Sequence, residues 1–177
     1  MTDTDLQQKR LIAAAIDAAI AIAILGAFYA GGAVLSFAAT RAAVSLHYVA
    51  RVVNFAGSLL ALAYVLGRDV LGGDGRSLGK KTQEIRVVVA ATGQPVTFMQ
   101  SAKRNAIFAV GSGLGVLSAT FRLIPCLGDV VACLLIPLVA LAGLLGLVAV
   151  AVECYKIVTH PEGVRLGDEF AGTRVIR

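Results

Sequence analysis

Leu11-Ile12-Ala13-Ala14-Ala15-Ile16-Asp17-Ala18-Ala19-Ile20-Ala21-Ile22-Ala23-Ile24-Leu25-Gly26-Ala27-Phe28-Tyr29 is apolar from end to end apart from one carboxylate. Its length matches the ~20 residues an α-helix needs to cross a hydrocarbon core of ~30 Å. An acidic side chain at the centre of such a helix costs ~2.5 kcal/mol or more, so it normally faces protein or a water-filled cavity and has a partner. Asp17 therefore requires a counterpart elsewhere in the chain.

Composition places the whole chain in the same class. Of its 177 residues 58% are hydrophobic and 15% charged, with a mean hydropathy of +0.82. Soluble domains run at roughly 45–50% apolar and about 25% charged. A chain of this size holds one membrane domain over 1–177 and no separate soluble domain. Four prolines and the lack of alternating ten-residue strands argue against a β-barrel. The polar residues 1–10 ahead of the apolar run resemble the start of a signal peptide. The run is longer than a typical ~7–15-residue signal core and Asp17 interrupts it, so an uncleaved first span is expected.

Four spans are expected, over 11–29, 44–66, 106–123 and 130–152, making an all-α, four-transmembrane-helix bundle. In the second, His47, Arg51, Asn54 and Ser58 fall on one helical stripe, which should turn away from lipid. If that helix runs antiparallel to the first, Asn54 and Ser58 lie near the depth of Asp17 and Arg51 is within reach. Asp17, Arg51, Asn54 and Ser58 are thus the expected ion or proton site, for a monovalent cation. The alternative for His47 and Arg51 is a place at the outer interface with snorkelling side chains. The third span carries Gly111 and Gly115 in the spacing that lets helices approach closely, read as internal packing. The fourth contains Pro137, which can kink it.

Between the second and third spans, 67–105 is the longest polar segment. It opens on a turn-rich stretch, Gly67 to Gly75, and Ile85 to Phe98 reads as a small β-hairpin turning at Thr92-Gly93. Two strands alone are marginal, so the hairpin should lie on the bundle or the membrane surface. Every Lys and Arg except Arg41, Arg51 and Arg122 falls on the amino tail, on 67–105 or on the tail over 156–177. By the positive-inside rule these three segments are cytoplasmic, which four crossings allow and three do not.

A net charge of +5 beside membrane spans favours anionic lipid head groups, at about 1 kcal/mol per basic residue near the surface. Gly75-Arg76-Ser77-Leu78-Gly79-Lys80-Lys81 fails as a phosphate-binding loop because position 74 is Asp and position 81 is Lys. A glycine-bent anion cradle remains, and Arg76, Lys80, Lys81 and Arg86 are the expected lipid- or anion-binding residues. Nucleic-acid binding is disfavoured, since no aromatic platform accompanies the basic residues. Cys126 and Cys133 are expected near the outer face and Cys154 at the inner one, with a Cys126–Cys133 bond geometrically conceivable. His47 and His160 fall on opposite sides. No metal site, cofactor or catalytic grouping is expected, and the chain does not read as an enzyme.

Arg10 heading the first span, Asp17 one heptad later, Gly75 to Lys81 followed by Ile85-Arg86-Val87-Val88, Thr92-Gly93-Gln94-Pro95, Ser101-Ala102-Lys103-Arg104-Asn105 and Leu166 to Val175 stand in an order that resembles the RDD family. This is a group of small bacterial membrane proteins named for one arginine and two aspartates. The resemblance covers nearly the whole chain. It implies Arg10 as the family arginine, Asp17 as the first aspartate and Asp168 as the second, with Asp69 the other candidate. Lys81-Thr82-Gln83-Glu84 departs from the small or apolar residue usual in the family there. The family has been linked to transport and to sodium–proton exchange. Two readings follow: a small transporter of the cytoplasmic membrane, expected as a homo-oligomer, with Asp17 as its cation or proton site, or a scaffold or assembly factor whose basic loop binds head groups or a partner protein. Arg10 and Asp17 are roughly 10 Å apart along a helix and cannot bond directly. Asp168 is the expected ion-pair partner of Arg10.

Overall fold

The computed structural model describes residues 4–42, 44–125, 128–160 and 164–177, with side chains over 39–45 left aside. In chain order the elements are α1 (Thr4–Ala42), α2 (Val44–Leu71), α3 (Leu78–Thr82), β1 (Arg86–Val89), α4 (Phe98–Phe121), α5 (Gly128–Thr159), α6 (Leu166–Ala171) and β2 (Thr173–Ile176). Each expected span lies almost wholly inside a longer helix. The 39 residues of α1 rise about 58 Å, well beyond a bilayer core. Cys126 lies outside the described residues, so the Cys126–Cys133 bond has no structural counterpart to report.

Three of the helices are long and apolar enough to cross a membrane, over Thr4–Ala38, Leu46–Leu71 and Gly128–Thr159. The helix expected as the third span, α4, is the one that falls short. Its first two turns carry Gln100, Lys103, Arg104 and Asn105, so its apolar part begins only at Ala106. Large aliphatic side chains stay uncovered along α5, with Leu134 at 71% and Leu147 at 68% exposure. Surfaces this apolar are not stable in water, and lipid is their fitting surroundings.

The long helices pack in chain order, α1 on α2, α2 on α4 and α4 on α5, while α1 and α5 barely touch. Close approach sets the α1–α2 contact. A Cβ at Gly57 would run into the Phe28 side chain, and one at Gly32 into the Asn54 amide. Gly31 and Gly32 therefore do not end α1; Gly32 serves its packing.

At the Thr4 end of α1, Ala13, Ile85, Val87, Val96 and Val175 bury against one another, with Leu6 beside them. The turn expected at Thr92-Gly93 is present: Gly93 has φ +69°, its N–H donates to Val89 O, and Val88 bridges Pro95. The hairpin stops there, because Pro95 has no N–H to extend a ladder and Thr97 already caps α4 in a capping box with Gln100. The longer partner of β1 is the carboxyl-terminal strand. Arg86 stands opposite Ile176 and Val89 opposite Thr173, antiparallel. This pairing brings the 166–177 segment back onto the loop between α2 and α4.

Candidate functional site

Eight charged side chains and their polar neighbours are buried together where α1, α2, α4 and α5 meet the short elements α3 and α6. Asp17 is 1% exposed, and its hydrogen-bond donors come from α2 and from the start of α3. Ser77 caps α3, its Oγ accepting from Lys80 N–H and donating to Asp17 Oδ2 at 2.5 Å. Gly79 N–H donates to Asp17 Oδ1 at 2.9 Å, Tyr64 OH to the same oxygen at 3.2 Å, and Lys80 Nζ stands 3.8 Å from Oδ2. Gly79 has to be glycine, since a Cβ there would meet the Ala13 carbonyl of α1.

Lys80 carries the network onward. Its ammonium donates to Asp69 Oδ1 at 2.6 Å, and Asn105 Nδ2 donates to Oδ2 at 3.0 Å. Arg104 joins two acids, its Nε lying 3.7 Å from Asp69 and 2.9 Å from Asp168. Asp168 also accepts from Arg10 at 2.7 Å and from the Arg165 backbone N–H at 3.2 Å. Glu153 of α5 completes the set, accepting from Gly167 N–H at 3.1 Å with Arg165 Nε 3.6 Å away. One continuous chain of charge thus ties together every helix among the described residues.

A family model described as the RDD family matches residues 7–172. The chain belongs to the RDD family. No curated protein and no solved structure matches it. The matched range of this RDD protein contains Arg10, Asp17, Asp69 and Asp168, and all four sit in the buried network.

The sequence-based groupings separate here. Arg10 and Asp168 meet directly, whereas Asp17 is joined by none of Arg51, Asn54 and Ser58. Arg51 instead donates to Asp129 Oδ2 at 2.6 Å and to the Arg122 carbonyl at 2.9 Å, and Ser58 donates to Asn54 O within its own helix. Arg51, Asn54 and His47 line a cavity of about 460 Å³ at the other end of the helices, with Tyr29, Arg122 and Asp129. The physical reason is register. α1 runs on to Ala42 and α2 begins at Val44, so Gly32 lies against Asn54, Phe28 against Gly57 and Asp17 against Tyr64. Of the basic set expected to bind head groups, Lys80 is 7% exposed and turned onto Asp69, while Lys81 is exposed and Arg76 and Arg86 half-buried. Tyr64, Ser77, Ser101, Arg104, Asn105, Glu153 and Arg165 carried no site role in the sequence reading.

Asp168 sets an acid limit on the lock. Burial pushes its carboxyl up, but Arg104, Arg165 and Arg10 outweigh this and hold it at about 2. Its folded value lies below the ~3.9 of an unfolded aspartate, so its contribution is complete above about pH 4 and is lost as pH falls from about 4 towards 2. The loss is on the order of 2 kcal/mol. Thermal unfolding in detergent micelles between pH 7 and 2.5 reads it. The wild type should hold its melting temperature down to about pH 4 and then drop, and Asp168→Asn should start lower and lose this segment of the profile.

Proposed function

We propose that this RDD protein is a four-crossing protein of the bacterial cytoplasmic membrane, with both termini and the 67–105 segment in the cytoplasm. In this reading α4 is the remaining crossing, shielded by α2 and α5, and the buried charges form a lock that organises a rigid cytoplasmic face. The protein then acts as a membrane scaffold or assembly factor. Lys81, Arg76 and Arg86 flank that face and suit acidic head groups or an acidic partner segment.

The observation carrying this reading is the saturation of Asp17. Both oxygens are held by hydrogen bonds from Ser77, Gly79 and Tyr64, with Lys80 beside them. A carboxylate that loads and releases a cation would have to surrender these donors in each cycle. Asp17 also lies nearer the Thr4 end of α1 than the Ala42 end, which lowers the cost of keeping it charged.

Transport is the second reading, favoured by a file of cavities along the helices. The outer cavity shares Tyr29, Gly115 and Val139 with one of about 370 Å³, which shares Phe108 with another of about 430 Å³ that reaches Asp17. One experiment separates the two. In liposomes under a sodium or pH gradient, Asp17→Asn should carry the same flux as the native chain while melting several degrees lower. A native flux that Asp17→Asn abolishes in a folded protein establishes transport and removes the scaffold reading.

A further inference from the structure

We infer that the seam between α1 and α5 holds one anionic phospholipid, its phosphodiester against Arg68 and Arg165 and an acyl chain lying in the apolar cleft beside them. That the lipid comes from the cytoplasmic leaflet rests on the orientation proposed above; that it binds does not.

The argument begins with charge. Counting Arg68, half-buried at its edge, the network contains five bases, Arg10, Arg68, Lys80, Arg104 and Arg165, and four acids, Asp17, Asp69, Glu153 and Asp168. Arg68 is the surplus one. Its Nε and Nη2 both donate to the neutral Asn105 Oδ1, at 3.0 and 2.6 Å, its guanidinium lies over the Phe108 ring at 5.8 Å, and it has no ion-pair partner among the described residues. A further donor is unspent on the same side: Arg165 Nη2 is buried with no acceptor, whereas the unmatched Arg104 Nη1 belongs to a residue that lines only the interior gap of the network. Buried donors of charged groups are costly to leave unmatched. A single phosphodiester supplies one negative charge and an acceptor for the donor that Arg165 leaves unspent.

Space decides how that anion arrives. The gap inside the network, lined by Arg10, Asp17, Arg68, Lys80, Arg104 and Arg165 among others, has a volume of about 20 Å³, enough for about one water and too small for phosphate. Arg68 and Arg165 also face the cleft of about 430 Å³ between α1 and α5, whose other walls include Leu11, Ala18, Ile22, Val65, Phe108 and Val150. The anion must therefore come from the cleft, and its carrier must be content among aliphatic walls. Asp17 and Glu153 line the cleft too, but Asp17 is held by its own donors and Glu153 by Gly167 N–H and Arg165. A second copy of the chain placed seam to seam would bring a second Arg68 and neutralise nothing.

Native mass spectrometry of the full chain released from vesicles of equal phosphatidylglycerol and phosphatidylcholine, matched in acyl chains, tests this. The expected result is one phosphatidylglycerol retained per chain, favoured roughly tenfold or more over phosphatidylcholine and not displaced by inorganic phosphate. Arg68→Gln should lose roughly tenfold or more of that retention. Ala18→Trp, an exposed wall position, should do the same with all charges intact, and Arg174→Gln, at an exposed position of β2, should change nothing. Equal retention of both lipids, binding of inorganic phosphate alone, a lipid-free dimer, or retention untouched in both Arg68→Gln and Ala18→Trp would each overturn the site. Orientation is read separately from which side of intact cells an impermeant maleimide labels Ala91→Cys in a chain freed of its native thiols. Outside labelling defeats the proposed topology and leaves the lipid site standing, supplied from the other leaflet.

Discussion

Asp69→Ala should lower the stability of the solubilised protein by about 3–5 kcal/mol, the range for removing one partner of a buried ion pair. Asp69 is 0% exposed, and its carboxylate is the near neighbour of three groups on two other elements. Without it, the Lys80 ammonium loses its 2.6 Å acceptor, Asn105 Nδ2 its 3.0 Å one, and Arg104 keeps only Asp168. The ammonium is then left with the Asp17 carboxylate at 3.8 Å and the Ser77 hydroxyl, and a buried charge so weakly compensated is costlier than an apolar side chain. Adding Lys80→Met to Asp69→Ala should therefore recover part of the loss, because the double variant replaces a stranded cation with an apolar side chain. Thermal unfolding of the four members of this cycle in one detergent measures the coupling directly. Additive losses would mean that the two side chains do not act as a pair.

How much of this was legible beforehand follows from the kind of signal each residue sends. The apolar runs gave the long helices, since a stretch like Leu11 to Tyr29 has few other uses. Arg10 with Asp168 was also legible, because the distribution of basic residues places both at the same end of the helices. The partners of Asp17 were not. Choosing them needs the α1–α2 register, and that register depends on Gly31-Gly32 continuing a helix where glycine pairs often end one. A shift of about two turns, roughly 10 Å, replaces Asn54 and Ser58 by Tyr64 as the level partner of Asp17. Ser77, Gly79 and Lys80 were read as a surface cradle because a basic, glycine-rich loop looks solvated. Only the fold shows that α3 lies on α1. β1 was recognised, but its main partner lies 84 to 90 residues downstream at the carboxyl end, and no local pattern announces a pairing of that separation. Arg104 and Asn105 stood in the motif that carried the family resemblance. Sequence alone gave them no acid to meet.

Gly79→Ala should be nearly as damaging, although it adds a single methyl group. The new Cβ would collide with the Ala13 carbonyl and stand 2.9 Å from Asp17 Oδ1, and neither can retreat because both belong to α1. α3 must then lift away. The lift breaks the Gly79 N–H bond to Asp17, loosens the Ser77 hydroxyl from the same carboxylate and draws Lys80 off Asp69, so one steric clash opens several buried polar contacts together. Overpacking with loss of buried hydrogen bonds places the cost at about 2–4 kcal/mol. The same change at Gly113 meets nothing within 4 Å and should be neutral or slightly stabilising, since alanine is the better helix former by roughly 0.5–1 kcal/mol. Thermal unfolding and limited proteolysis of the 72–82 segment read both. Because Gly79→Ala and Asp17→Asn break the same contact, their losses should overlap when combined rather than add. A Gly79→Ala protein that melts with the wild type would show that α3 does not need its seat on α1, and the lock would lose the clasp that makes Asp17 a structural acid.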